Sequence, residues 1–203
     1  MQGFSGITTR LGGVAAALGG LLWAAKAFYD RNDAPPWPTD ATDALFFLIP
    51  LLFLLGLTGL YVQCRGRLRE WEALSSAAFG GVVIGAVGLV FGGLSALLGV
   101  GPLWWAEISW WMFVFGFFLM HLGLLFLGNS IVQTGTLPRW RALPLLIGML
   151  GILLILVSDP PNSPLGVYPS LVLWMLYGFA WAVLGYALWS FRYEPVRQRA
   201  AMG

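Results

Sequence analysis

His121 is the only histidine in the chain, and it falls inside a long apolar run, a little past its middle. A neutral imidazole there offers one donor and one acceptor, and each needs a partner from a neighbouring element. Facing a polar site, such a ring could relay protons or touch a ligand. Facing another helix, it would serve structure, bonded to a backbone carbonyl or to a hydroxyl such as Ser95 or Thr58, and this is the simpler reading. Glu107 lies in Trp104-Trp105-Ala106-Glu107-Ile108-Ser109-Trp110-Trp111. A carboxylate framed by aromatic faces suits an organic cation, through charge and cation–π attraction of about 0.5–2 kcal/mol per ring. The same tryptophans are what an interfacial membrane belt requires. Trp37 and Asn162, in other loops on the same predicted face, would join Trp104 and Trp105 around an outward-opening solute site.

The remaining inventory excludes most membrane enzymology. One histidine cannot supply a two- or three-histidine metal site or bis-histidine haem, and no His-Glu-x-x-His helix exists, so neither metal nor cofactor is expected. None of the nine acids falls inside an apolar run, which removes paired intramembrane carboxylates. The fourth run holds no Gly-x-Ser-Gly and the sixth no histidine, as a rhomboid-type protease would need. Lys26, the sole lysine, sits at the edge of a run, where it snorkels to water and cannot form a deep Schiff base. Cys64, the only cysteine, has no disulfide partner in the chain and reads as a buried or interfacial inert thiol rather than an acylated or redox-active one. No nucleic-acid motif accompanies the arginines.

What positions these residues is a bilayer. The chain is 59% apolar and 10% charged, with mean hydropathy +0.80, whereas soluble domains carry about 25% charge and roughly 45–50% apolar residues. A soluble domain, a disordered chain and a disulfide scaffold are thereby excluded. A spanning helix needs about 20 apolar residues, and six runs qualify: 11–29, 44–62, 77–99, 108–129, 143–158 and 168–190. The fifth gains ordinary length if Thr136 caps it and Pro138 occupies its first turn, giving 137–158. Pro50 is expected to kink the second. Each run is continuously apolar rather than alternating, which excludes a barrel. The expected fold is an all-α integral membrane protein: one transmembrane domain, a bundle of six transmembrane helices. Of the 11 basic residues only Lys26 and Arg31 fall on the acidic side, so the positive-inside rule places both termini in the cytoplasm of a multi-pass protein of the cell (inner) membrane. The first run is longer than the roughly 7–15 residues of a signal core and no small-x-small site follows it, so it reads as a retained anchor.

The spans pair into three tandem hairpins in which odd helices are glycine-rich and even helices aromatic-rich. Gly12, Ala16, Gly20 and Ala24 form a four-spaced ladder on the first span; Gly81 with Gly85, and Gly88 with Gly92, do so on the third. Such ladders let helices approach closely in lipid, where no hydrophobic drive brings them together. They are expected to pack on each other, on a second membrane protein, or on a second copy of the chain.

The segment Gly135-Thr136-Leu137-Pro138-Arg139-Trp140, followed by an apolar helix with Gly148 and Gly151, resembles the inner turn of uncharacterised six-helix bacterial integral membrane proteins. Arg10-Leu11-Gly12-Gly13, leading into alanines, glycines and Leu21-Leu22-Trp23, resembles their first helix. The resemblance implies topology, since that group carries no established activity. In plan alone, the chain also resembles substrate-binding subunits of energy-coupling-factor vitamin transporters, which implies small-solute binding; fold-level likeness is weak evidence for function. Abundant close-packing faces and scarce reactive groups favour a noncatalytic scaffold or accessory membrane subunit over that reading, and over an intramembrane enzyme or redox protein.

Overall fold

The computed structural model describes residues 2–29, 48–64, 80–81, 83–84, 103–135, 137, 139–157 and 167–190. Among these are five helices: α1 (Gln2–Tyr29), α2 (Leu48–Cys64), α3 (Leu103–Thr134), α4 (Leu143–Val157) and α5 (Val167–Ser190). Residues 80–81 and 83–84 are also helical. The rest of the predicted third span, with Gly85, Gly88 and Gly92, lies outside the described residues, as do Trp37 and Asn162. Gly6–Lys26, Val114–Thr134 and Pro169–Ser190 are long and apolar enough to cross a membrane, while α2 and α4 are shorter. The described residues are all-α and fit an α-helical membrane protein, with five helices among them where six spans were expected.

One of two proline expectations is corrected. Pro50 lies in α2 close to its first described residue, Leu48, and the residues before it, on which a kink there depends, lie outside those described. Helix α4 begins at Leu143 rather than at 137. The reason is Pro144: in a helix starting at 137 it would stand in the interior, lose a backbone bond and clash with the preceding turn. Upstream, Gly135 at φ 63° closes α3 in the left-handed conformation that favours glycine, its N–H donating to the Ile131 carbonyl at 3.0 Å. Leu137 then plugs the core at 1% exposure, and a turn closes through the Trp140 N–H on the Leu137 carbonyl (3.1 Å) and the Leu143 N–H on the Trp140 carbonyl (3.0 Å).

Helix α1 is gripped on two sides. Towards α2, a methyl group built on Gly12 would stand 2.7 Å from the Gly59 Cα, and one on Gly56 2.8 Å from the Ala16 Cβ. Towards α5, one on Gly13 would stand 2.7 Å from the Gly185 carbonyl oxygen, one on Gly20 would collide with the Gly178 carbonyl, and one on Gly178 would stand 2.9 Å from the Ala24 Cβ. All four residues of the expected ladder are buried within the chain, but they do not share one partner. Steps of four advance about 400°, so the ladder creeps by about 40° per step; Gly12 and Ala16 face α2, whereas Gly20 and Ala24 face α5. Gly81 meets α3, where an added methyl would stand 2.6 Å from the Gly116 carbonyl oxygen.

These pairings run in opposite order along the partners, so α1 is antiparallel to α2 and α5. On the other side of the bundle α3 and α4 form a second antiparallel pair, with Gly128 against Leu145 and Gly148 against Leu125. Trp23 of α1 stacks on both Phe117 and Trp174, and one turn further on His121 meets Tyr177, so α3 and α5 run in the same sense. Of the described basic residues, Arg10, Arg139 and Arg141 therefore share one end of the bundle, and Lys26 lies towards the other.

The glycine contacts generate a stability test. Gly20→Ala must push the α1 and α5 backbones apart and is expected to cost about 1–3 kcal/mol. Gly6, whose added methyl meets nothing within 4 Å, is expected to tolerate alanine with unchanged or raised stability. Thermal melting of the two variants in one mild detergent compares them; equal melting temperatures would contradict the packing.

Candidate functional site

His121 projects from α3 into the centre of the bundle, fully buried. Its Nδ1 lies 2.6 Å from the Phe117 carbonyl oxygen, one turn back on its own helix. A carbonyl only accepts, so in the neutral ring Nδ1 carries the proton and donates. Nε2 is left as acceptor and takes the bond of the Tyr177 hydroxyl of α5, at 2.8 Å. Both ring nitrogens are closed. The structural partner is thus Tyr177, in place of Ser95 or Thr58: Ser95 lies outside the described residues, and the Thr58 hydroxyl donates to the Leu54 carbonyl at 2.8 Å within its own helix.

The ring fits because α4 offers it a notch. Any side chain at Gly151 would overlap the His121 ring, at Cδ2 and Nε2. Gly148, one turn earlier, lets the same two helices close: a methyl there would stand 2.8 Å from the Leu125 nitrogen. Glycine at 151 is thus a steric requirement of the histidine, and the two positions specify one another across the α3/α4 contact.

Aromatic rings surround the pair. Tyr177, fully buried, packs against His121 (centroids 5.3 Å apart), Trp23 (5.1 Å), Phe117 (5.7 Å) and Phe53 (6.1 Å). Trp23 lies nearly parallel to Trp174 at 4.9 Å and to Phe117 at 5.7 Å, and Phe53 stacks on Trp181 at 4.2 Å. Such pairs contribute about 0.5–1.5 kcal/mol each beyond the area they bury. Trp181, one turn beyond Tyr177, is fully buried, and its indole N–H has no hydrogen-bond partner among the described residues. Each of α1 to α5 contributes to the cluster: α1 by Trp23, α2 by Phe53, α3 by Phe117 and His121, α4 by Gly151, α5 by Trp174, Tyr177 and Trp181.

The other predicted site residues fall at or beyond the edge of what is described. Trp104, Trp105 and Glu107 lie in the first two turns of α3, with side chains outside those described, and Trp37 is outside the described residues altogether. Tyr177, Gly151 and the rings around them went unforeseen. A signal existed for Tyr177, a tyrosine at mid-span in an otherwise apolar helix, far from the interface where its hydroxyl would meet water. Comparison with protein-family models, curated proteins and solved structures finds no match to this chain.

The contact between His121 and Gly151 makes a double-mutant cycle decisive. Gly151→Ala alone displaces the ring and is expected to destabilise strongly, and Tyr177→Phe leaves Nε2 unpaired at about 1–3 kcal/mol. In a His121→Ala background Gly151→Ala should cost far less, giving non-additivity of about 1 kcal/mol or more. Additive costs in denaturant or thermal unfolding would refute the steric coupling.

Proposed function

We propose that this chain is a noncatalytic polytopic membrane protein that serves as a scaffold or accessory subunit, with six spanning helices and both termini in the cytoplasm. One observation carries the reading: the only histidine spends both ring nitrogens on protein partners and is sealed from solvent. A residue so committed holds helices together and offers nothing to a substrate. Hydroxyls are spent likewise, Ser130 on the Phe126 carbonyl and Thr134 on the Ser130 carbonyl, each one turn back. The small-residue face of α1 is consumed inside the chain, so a partner subunit would meet the outward apolar surface, such as Leu11, Leu18 and Leu21 of α1. The likeness of the Gly135–Trp140 turn to that of six-helix bacterial membrane proteins agrees with the topology and adds no activity.

Three measurements test this. Reporters fused after residue 161 and at the C-terminus are expected in opposite compartments; the same compartment for both would refute the topology. A thermal-shift screen of the purified chain against vitamins and organic cations should stay flat, because a ligand that binds the folded state raises its melting temperature by mass action. A saturable rise abolished by Glu107→Gln would replace the scaffold reading with solute binding, and a visible haem absorption band would replace it with redox chemistry.

A further inference from the structure

The turn between α3 and α4 presents Arg139, Trp140, Arg141 and Ala142 as consecutive exposed residues. Neither guanidinium has an ion-pair or hydrogen-bond partner among the described residues. The single acid among those residues, Glu107, stands near the opposite end of α3. The presentation is built in. Gly135 ends α3 in a left-handed cap, buried Leu137 pins the chain to the core, and two backbone bonds bracket Trp140, so the backbone of the turn is fixed with both arginines exposed. Trp140 keeps 37% exposure between them. Exposed tryptophan at the end of a membrane helix seeks the headgroup layer, which sets the depth of its two neighbours. Arg10 of α1 and exposed Trp189 of α5 lie at the same end of the bundle.

We infer that this turn is a docking site for the headgroups of anionic phospholipids, with Arg139 and Arg141 engaging the phosphate and Trp140 anchoring the turn at headgroup depth. The inference rests on the proposed membrane reading and goes beyond it by naming a ligand class and the residues that take it. Guanidinium groups suit the task because their planar donor fork matches phosphate oxygens in pairs, and no protein carboxylate among the described residues competes for them. A lipid headgroup is the occupant because the tryptophan and the helix ends place the site at the membrane edge; a free phosphate would gain nothing from Trp140.

The test is a thermal-shift titration of the purified full chain in neutral detergent, with phosphatidylglycerol, phosphatidylcholine or inorganic phosphate added in turn. Phosphatidylglycerol is expected to raise the melting temperature saturably, and the other two to leave it unmoved. Arg139→Gln/Arg141→Gln should weaken the apparent affinity for phosphatidylglycerol about 30-fold, with the melting temperature in phosphatidylcholine unchanged. Arg139→Lys/Arg141→Lys retains both charges but loses the paired donors, so its apparent affinity should fall between those of the unaltered chain and the Gln variant. Equal behaviour of the two double variants would overturn the inference, as would an equal shift from phosphatidylcholine or inorganic phosphate. A chain that stays soluble without detergent would overturn the membrane reading along with it; a detergent-dependent chain with unaltered phosphatidylglycerol binding in the Gln variant would overturn the docking site alone.

Discussion

An imidazole buried among helices has two nitrogens to satisfy, and the bundle is arranged around doing so. The Phe117 carbonyl fixes which nitrogen carries the proton, and Tyr177 must then donate to the other. An unsatisfied polar atom at that depth has no water to turn to, so the ring, the phenol and the carbonyl constrain three places on two helices at once. Gly151 supplies the fourth constraint by yielding its side-chain volume. The hydrogen-bonded pair acts as a clasp between α3 and α5.

That clasp joins two tight groups. One is α1 with α2 and α5, where backbones approach through glycine and alanine; the other is α3 with α4, closed by Gly128, Gly148 and Gly151. Between the groups the space is filled by Trp23, Phe53, Phe117 and Trp174, whose bulk keeps backbones apart. Small residues thus hold each group together from within, and large rings mediate between groups. Association in lipid depends on such packing and on hydrogen bonds, and this chain divides the two devices by location.

Much of this was legible in the residues. Apolar runs marked every described helix, since no other element satisfies its own backbone in a bilayer, and the Gly12 to Ala24 ladder marked a close-packed α1. Its division between two partners was not legible, because a four-spaced ladder creeps around the helix and periodicity does not say where one neighbour stops. The start of α4 was misread because Thr136 and Pro138 form a local start signal while the competing signal, Pro144, acts by what it forbids further along. The clasp itself was half legible: a lone buried histidine announces a need for partners, but which hydroxyl and which notch meet it depends on which helices become neighbours.

The length of α3 has a mechanical corollary. Its 32 residues extend about 48 Å, while the hydrocarbon layer is about 30 Å thick. Even leaning at about 40°, the steep end of observed tilts, the rod would rise some 37 Å, so it overshoots the oily layer. The apolar stretch Val114–Thr134 is by itself long enough to fill that layer, so between about 7 and 18 Å of the rod stands in the polar margins, at one face or shared between both.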